Sequence, residues 1–242
     1  MFTFCSFDFR MQLEFPIGRE DRLLHVHQTL RTAFGKPPPA IRLDPVSQLI
    51  LTMLSARTKG HTAKRAFVAL AAVFADWRAL ASSSSDIVEY HIRRVTFSER
   101  KAVFLPRSLR RIITLRNSLS LDFLHDWPVD AALEWLELLP GVGPKTSAAI
   151  LNFSPLQKRA LVVDTAHYRA ALRIGLLQQN ARFNQAALAM MRQIPHDWTA
   201  DDIEDHHILM QELGKTFCRY KEPCCSRCPV RHYCDYYSEL PG

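Results

Sequence analysis

Apolar residues recur along this chain with the spacing of a helix, and nowhere with a convincing strand alternation. Val46, Leu49, Ile50, Met53 and Leu54 fall at i, i+3, i+4, i+7 and i+8, the apolar stripe of an amphipathic helix. Asp44 precedes that stripe as a cap, and Pro45 suits the first helical position. Phe67, Leu70, Ala71 and Phe74 repeat the pattern. So do Leu105, Leu109, Ile112 and Ile113, with Arg107, Arg110 and Arg111 off the stripe, and then Val129, Ala132, Leu133 and Leu136. A further helix is expected to start near Asp201. Asp202, Glu204 and Asp205 then lie in its first turn, where the helix dipole favours negative charge. Its apolar side would be Ile203, Met210, Leu213 and Phe217. Breaks are expected at Pro37–Pro39, at Ser82–Ser85 and at Trp127–Pro128. The pattern predicts an all-α protein.

The 242 residues suggest one or two domains, and a hydrophobic share of 48% with 23% charged residues is an ordinary globular balance. Charge changes the picture more. A formal net charge of +7 favours a polyanionic partner, nucleic acid ahead of anionic lipid. No run approaches the length of apolar sequence that a membrane span needs. Met1–Phe15 is rich in phenylalanine but lacks a basic leading region, a continuous apolar stretch and a small-residue cleavage site, so it does not read as a secretory signal. Met11 offers an alternative start. These features predict a cytoplasmic protein.

Five of the 6 cysteines fall between Cys218 and Cys234; Cys5 lies apart. A disulfide framework would spread its cysteines to staple distant loops, whereas crowding in one tail points to metal ligation. Cys218, Cys225, Cys228 and Cys234 have the spacing Cys-x6-Cys-x2-Cys-x5-Cys. Four thiolates hold either a tetrahedral zinc or a [4Fe–4S] cubane. Zinc sites favour two close pairs, and only one is present here. Cys224 could replace Cys225 as far as spacing goes. The intervening loop carries Arg219 and Lys221, suited to phosphate contact or to plain solvation.

Glycines are few, and two of them flank one residue in Leu138-Leu139-Pro140-Gly141-Val142-Gly143-Pro144-Lys145-Thr146. Gly141 and Gly143 permit unusual backbone conformations, and Pro144 suits the start of the next helix. A helix–hairpin–helix is expected. Its exposed N–H groups at a helix N-terminus would grip a phosphate without reading sequence. Lys145 lies in the first turn of the second helix, facing the positive end of the dipole. Two roles fit it: a neutral amine able to form a Schiff base, or a solvated phosphate contact. Asp164, in Leu161-Val162-Val163-Asp164-Thr165, opens a helical stretch over 166–177. It fits an N-cap, and equally a carboxylate that stabilises a cationic transition state near Lys145.

Taken in order, the Leu-Pro-Gly-Val-Gly-Pro-Lys-Thr string, the Val-Asp-Thr whose Asp164 follows Lys145 by nineteen residues, and the four-cysteine tail resemble endonuclease III. Leu51-Thr52-Met53-Leu54-Ser55-Ala56 is similar to an early helix of that family. The resemblance runs from about Pro45 to Tyr236. It implies a two-domain all-α helix–hairpin–helix glycosylase fold: a six-helix domain over 38–157, and an iron–sulfur domain combining 1–37 with 158–242. Double-stranded DNA containing damaged bases or abasic sites would lie between them, bound by a monomer that is nucleoid-associated if bacterial. The implied chemistry flips a damaged base, an oxidised pyrimidine first of all, out of the duplex. Lys145 would then attack the sugar C1′ to form a Schiff base, with Asp164 supporting the cationic sugar, and β-elimination would cut the strand. Cys218, Cys225, Cys228 and Cys234 would hold a structural [4Fe–4S] cluster. Arg57, Leu139, Gly141, Val142, Gly143, Thr146, Arg219 and Lys221 would face DNA.

Three departures from the family stand out. Arg57 replaces a glutamine that fills the gap left by the flipped nucleotide. Ala166 replaces a histidine, with His167 following as an ordinary helix residue. Thr96-Phe97-Ser98-Glu99-Arg100-Lys101 replaces a glycine-containing segment of the DNA-facing surface. Competing readings are a monofunctional glycosylase of the same fold for alkylated, uracil or mismatched bases, a non-enzymatic DNA-binding protein with a metal-stabilised tail, and a zinc module. The adenine-specific branch of the fold has a hydroxyl residue where Lys145 stands.

Overall fold

The computed structural model describes residues 18–39 and 41–240. The phenylalanine-rich start and Cys5 lie outside the described residues. Those described form helices and turns without a strand: α1 (Arg19–Phe34), α2 (Pro45–Ser55), α3 (Gly60–Val73), α4 (Trp77–Ser82), α5 (Ser85–Ile92), α6 (Ser98–Arg116), α7 (Val129–Glu137), α8 (Pro144–Phe153), α9 (Thr165–Ile174), α10 (Ala186–Met191), α11 (Ala200–Thr216) and α12 (Asp235–Ser238). The all-α class is as the apolar spacing indicated.

Two hydrophobic cores organise these helices. The first is built by α2 to α8 around Leu49, Ile50, Leu54, Leu105, Leu109 and Ile150, all fully buried. α2 lies at its centre, against α3 and α8. Asp44 caps α2 as expected, its Oδ1 accepting from the N–H groups of Val46 (3.1 Å) and Ser47 (3.0 Å). Such a cap contributes roughly 1 kcal/mol. The second core joins α1, through Leu23, Val26 and Leu30, to α9, α10 and α11. The extended segment 160–163 is shared between the cores. Ala160 and Val162 enter the first, Leu161 and Val163 the second, which is the two-residue alternation of extended chain. Polar ties cross the same border. Arg42 donates to the Asn152 carbonyl (2.9 Å) and to Glu204 Oε2 (2.9 Å), and Asn152 Nδ2 donates to the Ala200 carbonyl (3.0 Å).

α11 starts at Ala200, one residue before the expected point. Thr199 makes a reciprocal capping box with Asp202 that the charge pattern alone did not show. Near α11 the second core takes in four buried histidines, His27, His167, His206 and His207. Their rings form a line, with centroids 5.5 Å apart for His27–His206 and His167–His206 and 5.7 Å for His167–His207. His167 is a residue of α9, as expected, and lies in the core.

Candidate active site

The hairpin between α7 and α8 forms where the sequence places it, but its two glycines serve differently. Gly141 has φ +80°, and a Cβ there would stand 2.9 Å from Phe104 Cβ on α6. Only glycine fits, for conformation and for space. Gly143 has φ −131° and an unobstructed Cβ direction, so the expected conformational need for glycine applies to Gly141 alone. The hairpin's side chains also turn inward. Leu139 is 2% exposed and belongs to the first core, with Val142 and Thr146 buried beside it. The expectation that Leu139 faces DNA is corrected: the exposed neighbour is Leu138. The N–H groups of Val142 and Thr146 are engaged within the hairpin, by the Leu139 and Gly143 carbonyls. Those of Gly141, Gly143 and Lys145 have no partner among the described residues. Three free donors at the start of α8 make the anion-binding geometry of a helix N-terminus.

Lys145 is partly exposed at the edge of a cavity of about 240 Å³, whose lining includes Ala56, Gly143, Val163, Phe183 and Asn184. Phe183 and Asn184 come from a short 3₁₀ turn before α10. No pattern in the chain marks them, because their segment carries no periodic stripe.

Asp164 forms the expected N-cap. Its Oδ1 caps α9, accepting from Ala166 N–H (2.9 Å) and His167 N–H (2.8 Å). Its Oδ2 accepts from Gln211 Nε2 of α11 at 2.5 Å, and Lys215 Nζ donates to Gln211 Oε1. Burial pushes the carboxyl pKa up. The His167 amide, the charges of His207 and Lys145 and the Gln211 amide outweigh burial and leave it below the usual aspartate value. The carboxylate is therefore held ionised, in the electrostatic reach of Lys145.

Arg57 is exposed in the turn after α2, with φ +54°. Phe97, which the sequence reading did not single out beyond its segment, also has a left-handed backbone, φ +58°, and is 45% exposed. The Arg57 guanidinium carbon lies 5.8 Å from the centre of the Phe97 ring, within cation–π range. Two turns remote in sequence thus project a cation and an aromatic ring together. Ala56, next to Arg57, lines the Lys145 cavity.

Cys218, Cys225, Cys228 and Cys234 line one small cavity of about 20 Å³ beside Val230 and Leu213. Cys224 is not in that lining; its Sγ accepts from Arg219 Nη2 at 2.9 Å. Burial, followed by the neighbouring sulfurs, pushes the Cys228 thiol up to about 11, and Cys225 and Cys234 shift the same way. Four thiolates in this wall need a cationic group between them. Among the described residues no three His, Cys, Asp or Glu side chains stand close enough to hold one metal ion. Four soft thiolates are a donor set suited to zinc or to an iron–sulfur cluster. Arg169 and Arg173 of α9 clamp the loop, donating to the carbonyls of Cys218 (2.8 Å), Gly214 (2.7 Å) and Arg219 (2.8 Å). Arg219 and Lys221 are exposed but do not line the Lys145 cavity.

No family model matches this chain. Endonuclease III of Rickettsia felis is 27% identical over 207 residues, covering 84% of this chain and 90% of that protein. Endonuclease III of Thermotoga maritima is 28% identical over 195 residues, covering 80% and 84%. A trapped endonuclease III–DNA covalent intermediate superposes with a TM-score of 0.75 at 20% identity, covering 91% of this chain and 97% of that one. The chain is similar in sequence to endonuclease III and shares its helix–hairpin–helix fold. The same fold is seen in a thermostable thymine-DNA glycosylase, with a TM-score of 0.73 at 20% identity, covering 92% and 98%. An Arabidopsis thaliana relative whose name proposes a DNA glycosylase is 31% identical over 153 residues, and there the endonuclease III-like chain spans 52% of the relative's length.

Proposed function

We propose that this endonuclease III-like enzyme excises damaged bases, oxidised pyrimidines first, from duplex DNA and then cleaves the abasic strand through a lysine Schiff base. One observation carries the reading: a lysine amine at the rim of a cavity lies within electrostatic reach of an ionised aspartate whose two oxygens are both held by hydrogen bonds. In that geometry the free N–H groups of Gly141 and Gly143 hold a phosphate of the damaged strand. The extruded nucleotide enters the cavity, where Phe183 offers an apolar face and Asn184 an amide. Lys145 Nζ bonds to C1′ as the glycosidic C–N bond breaks and the base departs with a proton. Asp164 stabilises the positive charge that develops on the sugar. Ring opening gives the imine; loss of a 2′ proton then expels the 3′ phosphate.

Cys218, Cys225, Cys228 and Cys234 would hold a [4Fe–4S] cluster. Its contribution is structural, tying the 218–234 loop to α9, because displacement and elimination transfer no electrons. Partner and place follow: duplex DNA, a monomeric enzyme, and a location where chromosomal DNA lies.

The test is incubation with a duplex carrying one thymine glycol in borohydride, beside a Lys145→Ala variant. A covalent adduct that is absent in the variant supports the reading. A monofunctional glycosylase is the second reading, favoured by the largely apolar lining of the cavity, which would accept thymine or uracil. It predicts no adduct, but base loss revealed by hot alkali from a mismatched or uracil-containing duplex.

A further inference from the structure

Lys101 lies in the first turn of α6 and is 7% exposed, unusual burial for a lysine. All three of its ammonium protons are used. Nζ donates to the carbonyls of Leu54 (2.8 Å) and Ala56 (2.6 Å) and to Thr58 Oγ1 (3.1 Å). These acceptors bracket Arg57 on both sides. The Lys101 amide N–H meanwhile donates to the Phe97 carbonyl at 3.1 Å. Thr58 Oγ1 also accepts from Thr96 N–H (3.2 Å), linking the two turns directly. One residue therefore holds the end of α2 with its side chain and the start of α6 with its backbone. Among the described residues, the Arg57 side chain makes no hydrogen bond that would fix its left-handed turn; its cation–π contact is with the Phe97 ring.

We propose that Lys101 is a positioning residue that presents Arg57 and Phe97 as one preorganised unit to the gap left in duplex DNA by the extruded nucleotide. The inference rests on the DNA-glycosylase reading above. A carbonyl-lined socket for an ammonium at the C-terminal end of α2 is favourable for a cation. It costs the protein a buried charge that packing alone does not require. Burial, and secondly the charge of Lys145, lower the Lys101 pKa to about 8, so the ammonium predominates at neutral pH.

The test is a double-mutant cycle on affinity for a duplex with one tetrahydrofuran abasic site opposite 2-aminopurine, with an undamaged duplex as reference. Lys101→Met keeps length and removes the donors; Arg57→Ala removes the presented cation. Each single variant is expected to lose about tenfold in preference for the abasic duplex, the scale of one lost stacking contact. The double variant is expected to lose no more than Arg57→Ala alone. The 2-aminopurine fluorescence change on binding should fall together in all three. The loss should appear in affinity more than in the borohydride trapping rate at saturating DNA, a split that general unfolding would not produce. Thr58→Val, which removes one acceptor without burying a new charge, carries the cycle if Lys101→Met does not fold. Multiplicative losses in the double variant, or unaltered preference in Lys101→Met, would overturn the proposal while leaving the glycosylase reading intact. A wild-type protein that does not distinguish abasic from undamaged duplex would overturn both.

Discussion

The line of four buried histidines predicts steep acid destabilisation between pH 6.5 and 5. Burial holds His27 and His207 down to about 4 and His167 to about 3, and lowers His206 well below its ordinary value. Unfolded histidines titrate near 6.5. Between roughly pH 4 and 6.5 the unfolded chain therefore binds protons that the folded chain does not. The stability from keeping these rings neutral is fully present above pH 6.5 and is lost as pH falls through that window. At pH 5 each of the three rings with a stated value costs about 2 kcal/mol, hence about 6 kcal/mol together. Glu204 and Asp205, whose carboxyls burial raises, take up protons in the folded state and offset part of this. The net loss is still large beside a typical total of about 5–15 kcal/mol. Urea unfolding followed by circular dichroism at pH 7, 6 and 5 measures it. A His206→Leu variant isolates the cause, since both ring nitrogens of His206 are buried without a partner among the described residues. Leucine should keep or raise stability at pH 7 and reduce the pH dependence by up to about 1.4 kcal/mol per pH unit. Equal wild-type stability at pH 7 and 5, or an unaltered slope in His206→Leu, would refute the reasoning.

Cys225→Ala should abolish the broad absorbance near 400 nm expected of a purified iron–sulfur protein, whereas Cys224→Ala should keep it, because only Cys225 faces the four-thiol cavity. Gln211→Leu leaves Asp164 Oδ2 without its donor, and should slow base release measured by single-turnover kinetics by about tenfold, the worth of one hydrogen bond to a charged group. Gly214→Ala would bring a Cβ to 2.6 Å from the Ala166 carbonyl oxygen; overpacking of this kind costs about 1–3 kcal/mol, read as a lower urea midpoint with little change in slope.

The long helices of the first core were legible because each buries one face and solvates the other, so Val46–Leu54, Leu105–Ile113 and Val129–Leu136 wrote their period into the chain. α1 was not. Its stripe of Leu23, Val26 and Leu30 includes His27, which reads as polar yet is 5% exposed. The same bias hid the other histidines: a polar letter is taken for a surface residue, and only packing shows that its ring is neutral and interior. α4, α5 and α10 are too short for a periodic pattern to stand out. At the site, Lys145 and Asp164 were legible through the string and spacing around them. Lys101 and Gln211 were not, since each acts across more than forty residues of chain on groups that no local pattern connects. Leu139 was misjudged for a related reason. A motif shows which residues form a hairpin, but not which way each side chain turns.

The departure at position 166 gains a physical reading from the contact between α9 and α11. These helices approach so closely that a Cβ on Gly214 would collide with the Ala166 carbonyl and would stand 2.9 Å from the Ala166 Cβ. That approach is what allows Gln211, one turn before Gly214 on α11, to reach Asp164 at the start of α9. The backbone fixes one oxygen of Asp164 and a side chain from the neighbouring helix fixes the other, so the carboxylate cannot rotate without losing a hydrogen bond. Rigid placement of charge before the reaction begins is the form of electrostatic help that needs no reorganisation in the transition state. Small residues at 166 and 214 are therefore tied to the aspartate two positions upstream of Ala166: they set the helix spacing at which its second oxygen finds a donor.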